Sequence, residues 1–197
     1  MLNKLILSST PISYFSSEVE MDIFLTEKTA DSTDKNDLKA AVEDLANVIT
    51  SAGGEPVEFF FGEGLKTIYS ISEAPSKVAL EAALIKAELT YKEVAAVRIV
   101  GATIEEVRSR SQEANYLVEW DLPADLSMET YLARKKEKSP LYENVPETTF
   151  MRTYVREDMQ KCVCLYDAPD DEAVIRARDV VDTPIDRMTT IGSIVDD

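Results

Sequence analysis

The side chains best suited to chemistry lie close together in the second half of the chain. Cys162 and Cys164 stand one residue apart, and Arg152, Tyr154 and Glu119 fall on neighbouring stretches. A Cys-X-Cys pair on one strand face can bind a soft metal. Free cysteine is also among the most buried residue types, so both thiols are expected in the core, with Cys162 and Cys164 kept only as weak metal candidates. Histidine is absent. That removes the usual acid/base near neutral pH and the commonest transition-metal ligand, and with it His-dependent triads, His-ligated haem and most zinc chemistry. Paired carboxylates occur throughout so acidic a chain and carry no specific message. There is no phosphate loop and no nucleophile with an adjacent base.

Strand alternation assigns these side chains to faces. Thr148–Arg156 and Lys161–Tyr166 read as a hairpin. Arg152, Tyr154 and Arg156 share one face with Lys161, Val163 and Leu165, while Thr153 and Val155 share the other with Cys162, Cys164 and Tyr166. Long charged side chains are costly to bury beneath helices unless paired. The thiols are therefore expected against helices, and Arg152 and Tyr154 on the opposite face, with Glu119 or Glu58 as the acid for Arg152. Trp120 and Tyr116 are candidates for lining a ligand pocket or for core packing. The basic run Arg134-Lys-Lys-Glu-Lys138 is expected to be a solvated helix end.

The positioning elements recur. Thr67-Ile-Tyr-Ser-Ile-Ser-Glu-Ala-Pro75 aligns without a gap on Lys161-Cys-Val-Cys-Leu-Tyr-Asp-Ala-Pro169, a shift of 94 residues that also carries Glu58 onto Arg152. In the first half, Met21–Leu25 reads as a strand, and Leu38, Val42, Leu45 and Ile49 have helical spacing ended by Gly53-Gly54. Glu55–Phe61 and Leu65–Ser72 read as strands, Val78–Leu89 as a helix entered through Pro75, and Glu93–Val100 as a strand. The second half repeats the order. Tyr116–Trp120 is a strand, Ser127 caps a helix to about Lys138, and the hairpin follows. Pro169 opens a helix with Arg176 and Arg178 matching its macrodipole, and Asp186–Ile191 is the last strand.

Each unit is thus β-α-β-β-α-β, the ferredoxin-like order. A four-stranded sheet with both helices on one face leaves its other face bare, and two such faces can bury each other. The expected fold is α+β: two ferredoxin-like repeats forming an intramolecular pseudo-dimeric α+β barrel. Residues 21–101 form repeat 1, 102–114 a linker, and 115–191 repeat 2. Residues 1–20 read as a leader or an extra strand, and 192–197 as an acidic tail.

The net charge of −16 is spread over both halves of the 197 residues. Uniform acidity disfavours nucleic acid and anionic membrane, which need a basic footprint. No apolar stretch is long enough to span a bilayer, and two cysteines make no secreted disulfide framework. These features predict a cytoplasmic protein without membrane insertion.

Leu117-Val-Glu119, Arg152-Thr-Tyr-Val155, Cys162-Val-Cys-Leu-Tyr-Asp-Ala-Pro169 and Pro184-Ile-Asp-Arg-Met188 resemble a bacterial domain-of-unknown-function family that includes small nickel-binding proteins of ferredoxin-like, dimeric α+β barrel fold. The resemblance covers roughly 115–191 well and 21–100 more weakly. It implies the barrel, and it implies nickel. Members commonly carry histidine where this chain has Arg152, and a guanidinium does not ligate metal. No cofactor is therefore expected, with nickel as the alternative. The expected function is a non-enzymatic structural or regulatory module binding a partner protein or a small ligand. The alternatives are a divergent nickel or transition-metal binder, and a cavity enzyme of the α+β barrel monooxygenase type.

Overall fold

The computed structural model describes residues 20–62, 64–109 and 114–191. Residues 1–19 of the expected leader and the expected tail 192–197 lie outside them. The architecture is mixed α+β. In chain order the elements are β1 (Asp22–Thr29), α1 (Lys35–Ser51), β2 (Glu55–Gly62), β3 (Thr67–Ala74), α2 (Lys77–Lys86), β4 (Glu93–Val100) and α3 (Ile104–Ser109). They continue with β5 (Tyr116–Asp121), α4 (Met128–Lys138), a 3-10 helix (Ser139–Asn144), β6 (Thr149–Arg156), β7 (Lys161–Asp167), α5 (Asp171–Val180) and β8 (Arg187–Thr190). The stretch expected to be a linker thus contains α3.

Local chemistry sets the boundaries. Asp34, Ser76, Ser127 and Asp170 cap α1, α2, α4 and α5, each side chain accepting from backbone N–H groups of the first turn. Pro75 and Pro169 sit one residue before the caps, outside the first turn where sequence reasoning puts them, because Ser76 and Asp170 take the capping position. α1 ends at Ala52, and Gly53 follows at φ +79°. α2 stops at Lys86, three residues early, where Glu88 turns to φ +57°. Pro140 lacks an N–H to continue α4, so the chain tightens into the 3-10 helix.

The strands form one antiparallel sheet in the order β2-β3-β1-β4-β6-β7-β5-β8. β4 joins β6 from Val97↔Arg156 to Val100↔Thr153. The register shifts between Pro56 and Glu58 on β2, and between Phe150 and Arg152 on β6. The far edges curl towards each other: a Cβ built on Gly62 of β2 would lie 3.0 Å from Thr189 Cγ2 of β8.

Strand alternation divides the interior into three apolar clusters. Phe24, Leu38, Leu45, Ile49, Leu80 and Leu84 fill the space between β1, α1 and α2. Val118, Tyr131, Cys162, Cys164, Val174 and Ala177 do so beneath α4 and α5. On the opposite sheet face, Leu25, Phe60, Ile71, Leu117, Val163 and Leu165 belong to one cluster drawn from both halves. Each such aliphatic side chain contributes roughly 1.5–3 kcal/mol on full burial.

Gly54 marks the tightest backbone approach. A Cβ there would run into the Glu73 carbonyl oxygen and press on Ile49 Cγ2 at 3.2 Å, whereas a Cβ on Gly64 meets nothing within 4 Å. Gly54→Ala should destabilise by about 2 kcal/mol or more through steric displacement of β3. Gly64→Ala should cost only about 1 kcal/mol, from its positive φ. Urea unfolding with unchanged m-values checks the order.

Candidate functional site

The inner face of the curled sheet, to which both halves contribute, holds charge as well as apolar groups. Arg152 on β6 is 4% exposed. Its Nε donates to Glu58 Oε1 at 3.0 Å, and its Nη2 donates to Glu58 Oε2. The Tyr154 hydroxyl donates to the same Glu58 carboxylate. Burial and the Glu58 charge push the Tyr154 phenol well above its ordinary range. Arg152 Nη1 is buried without a hydrogen-bond partner.

Glu119, the other acid considered for Arg152, is engaged elsewhere. It accepts Lys161 Nζ at 2.8 Å and Arg187 Nη2 at 3.1 Å. Lys161 also reaches Glu27 of β1 at 2.7 Å, and Lys92 adds a contact at 3.2 Å. Glu27 is 3% exposed. Burial opposes its ionisation, but the hydrogen bond and charge of Lys161, helped by Lys92, hold its carboxyl below the usual carboxylate range.

Trp120 alternates with Glu119 along β5 and so faces the helices, in the core of the second half. It joins a pocket lined also by Tyr131, Lys135, Tyr142, Cys164 and Arg178, with a cavity volume of about 20 Å³. Among the described residues the pocket is the centre of an unusual cluster. Cys164 Sγ lies 4.0 Å from Cys162 Sγ, accepts from Thr153 Oγ1 at 3.2 Å, and accepts from Arg178 Nη1 at 3.4 Å. Arg178 is 1% exposed; Nη1 also reaches the Tyr166 hydroxyl at 3.3 Å, Nη2 donates to the Pro184 carbonyl, and Nε has no partner. Lys135 donates to Thr153 Oγ1 at 3.3 Å and sits 3.7 Å above the Phe150 ring. Tyr131 is within hydrogen-bond reach of Cys162.

These contacts set the thiol chemistry. The Cys162 thiol, then the charges of Lys135 and Arg178 and the Thr153 hydroxyl, hold Cys164 well below the usual thiol range against the opposing effect of burial. Cys162 is pushed up, first by sharing its proton with Cys164 and then by burial. Of the pair, Cys164 is the more acidic thiol, because the cations and the hydroxyl converge on it.

Sequence reasoning missed the cationic half of this site. Arg178 looked like a macrodipole residue, yet it lies with Val174, Ala177 and Val181 on the buried side of α5. An arginine on that apolar stripe was the available signal. The basic run is not simply a solvated helix end either. Arg134 and Lys138 clasp Asp182, and Lys135 turns inwards. Lys135 and Arg178 bring two cations to the thiol pocket, an environment hostile to a divalent cation. Among the described residues, no three His, Cys, Asp or Glu side chains converge as ligands.

Arg152→Ala should cost about 3 kcal/mol, as expected when one half of a buried ion pair is removed. Arg152→Met should cost less because it fills part of the volume. A double-mutant cycle with Glu58→Gln should show coupling. Glu27 generates a pH effect of definite sign. Its folded pKa is depressed, so its contribution is present above the unfolded value of about 4.3 and is lost as pH falls through the lower folded value. Glu27→Gln should flatten the acid limb of the stability–pH curve below about pH 4.5, which chemical denaturation at several pH values measures.

The fold has relatives of known structure. A provisionally assigned chlorite dismutase, TA0507, aligns with a TM-score of 0.51 at 12% identity over 88% of this chain and 95% of its own. A provisionally assigned monooxygenase from Lactobacillus acidophilus aligns with a TM-score of 0.51 at 12% identity over 89% of this chain and 95% of its own. Both belong to the dimeric α+β barrel folds. No curated protein matches the sequence. The expectation of a non-enzymatic structural or regulatory module is corrected here, because the proteins that share this fold carry enzyme names. No helix among the described residues is long and apolar enough to cross a membrane. Residues 116–191 match the family described as nickel responsive protein SCO4226-like, and the family resemblance of this chain rests on that second half.

Proposed function

We propose that the chain is an internally duplicated α+β barrel enzyme whose reactive group is the Cys164 thiolate, acting on a small polar substrate in the pocket beneath α4 and α5. Residues 21–101 and 115–191 are its two units, joined by 102–114. The duplication is supported by element bounds. A shift of 94 residues carries β2 onto β6 and α2 onto α5, and brings the register shift of β2 onto that of β6.

The same shift carries the observation that most favours the site. Ile68, Ser70 and Leu84 of the first unit correspond to Cys162, Cys164 and Arg178 of the second. Leu84 fills its place in an apolar core, so an arginine there is not required by the fold. A buried guanidinium carries a large desolvation penalty unless it is matched by an anion. Here the matching group is the Cys164 sulfur, and a group held ionised at such cost is a functional-site candidate. The inter-sheet space, where a barrel enzyme of the monooxygenase kind would act, is occupied by the Leu25–Leu165 cluster and the Glu58–Arg152 pair. Nickel, which the family name suggests, does not fit. Arg152 is committed to Glu58, and the thiols face two cations.

Ultraviolet absorbance of the thiolate tests the proposal without requiring reagent access. Near neutral pH the full chain should show a thiolate signal that Cys164→Ser abolishes and Cys162→Ser retains. Arg178→Leu, copying Leu84, should raise the pH at which the signal appears. A wild-type chain without thiolate absorbance near neutral pH overturns the proposal.

A further inference from the structure

The two thiols differ in what surrounds them, and that difference assigns them separate roles. Cys164 takes the Arg178 and Thr153 contacts. Cys162 lies 4.0 Å away with its sulfur next to the first. Both point to the same side of β7. Two residues along a strand span roughly 6.6–6.8 Å between Cα atoms. A disulfide accepts Cα separations up to about 6.8 Å, so the pair can be bridged at the long end of the range. Such a bridge is strained and therefore readily reduced again.

The pocket also limits what can reach Cys164. Its cavity volume of about 20 Å³ admits an occupant only slightly larger than water. An open groove lined by Asp179, Asp182 and Pro184 shares Trp120, Arg134 and Thr183 with the pocket, which supplies a path from solvent. Arg178 lines the pocket, and its Nε is a buried donor lacking a partner. A substrate must therefore be very small, accept a hydrogen bond, and react with a thiolate.

We infer that Cys162 and Cys164 form a hydroperoxide-reactive dithiol, with Cys164 attacking and Cys162 resolving, and with hydrogen peroxide as the substrate that fits. The inference rests on Cys164 being the thiolate. In the first step the Cys164 sulfur attacks one peroxide oxygen. An S–O bond forms and the O–O bond breaks, so sulfur is oxidised by two electrons to the sulfenic acid. The leaving hydroxide takes a proton from Lys135 and departs as water, while Arg178 donates to the departing oxygen. In the second step the Cys162 sulfur attacks the sulfenic sulfur. An S–S bond forms, the S–O bond breaks, and hydroxide leaves as a second water with the Cys162 proton. Lys135 regains its proton from solvent. One peroxide and two thiols thus give one disulfide and two waters.

The test uses the full chain with hydrogen peroxide near neutral pH, read by mass spectrometry after thiol alkylation, beside the thiolate absorbance. The wild type should form a Cys162–Cys164 disulfide on the order of tenfold faster than free cysteine is oxidised, since a free thiol is only a few per cent ionised near pH 7. Cys162→Ser should instead accumulate a dimedone-trapped sulfenic acid at Cys164, and Cys164→Ser should react no faster than free cysteine. Oxidation at the free-cysteine rate, first attack at Cys162, or disulfides only between chains overturns the inference. If the thiolate absorbance is present in the first of these cases, the thiolate enzyme stands and only its substrate is wrong. If that absorbance is missing, both fail together.

Discussion

The Glu58 carboxylate must be neutralised where it sits, and the interior is organised around that requirement. A carboxylate between two sheet faces is tolerable only with its lone pairs satisfied and its charge matched. Arg152 and Tyr154 provide both from β6, an interior strand four places along the strand order from the edge strand β2 that carries Glu58. A second polar clasp, Glu27–Lys161–Glu119, ties β1 to β5 and β7. Apolar packing alone tolerates small slides of one sheet over another. Directional, charge-assisted hydrogen bonds do not, so the two clasps fix how the sheet faces lie together.

On the helix side of the second half, a different balance holds. Lys135 and Arg178 approach sulfur and hydroxyl groups, and Arg178 also donates to the Pro184 carbonyl. In the inter-sheet space each buried charge is matched by a permanent opposite charge. Beneath α4 and α5 the matching charge depends on a proton leaving Cys164. The first arrangement is insensitive to redox state. In the proposed thiolate site, the second would change its electrostatics on oxidation of Cys164, because the cations would then lose their counter-charge.

The order of elements was legible because helical and strand spacing, capping residues and glycine punctuation agree along most of the chain. The faces of the second hairpin followed from alternation alone, which set Arg152 and Tyr154 opposite Cys162 and Cys164. Partner choice was less legible. Glu119, from the first strand of the same repeat, and Glu58, from the 94-residue shift, were both open to Arg152, and only the tertiary arrangement separates them, with Lys161 and Arg187 occupying Glu119. The cationic half of the thiol pocket was missed because Lys135 and Arg178 were read as surface charges on helices. Arginine and lysine carry long apolar stems and can be core residues at their base and charged groups at their tip. The break of α4 at Pro140 was visible as a proline, but the 3-10 helix that follows, and that brings Tyr142 to the pocket, depends on packing.

Glu58 and Arg152 occupy corresponding positions in the two proposed units, and they touch each other. A residue on the twofold axis of a homodimer meets its own copy, so it faces an identical charge. Such a position can be apolar, or neutral and self-complementary, but it cannot be an ion pair. In the proposed duplication, joining the units in one polypeptide lifts that restriction and lets the axis carry opposite signs. The gain is irreversible in an evolutionary sense. Once one copy bears the acid and the other the base, neither unit can return to pairing with itself without setting carboxylate against carboxylate or guanidinium against guanidinium in a buried space. Under the proposed duplication, this asymmetry binds the halves to a shared fate, and leaves the second free to carry the proposed thiol site alone.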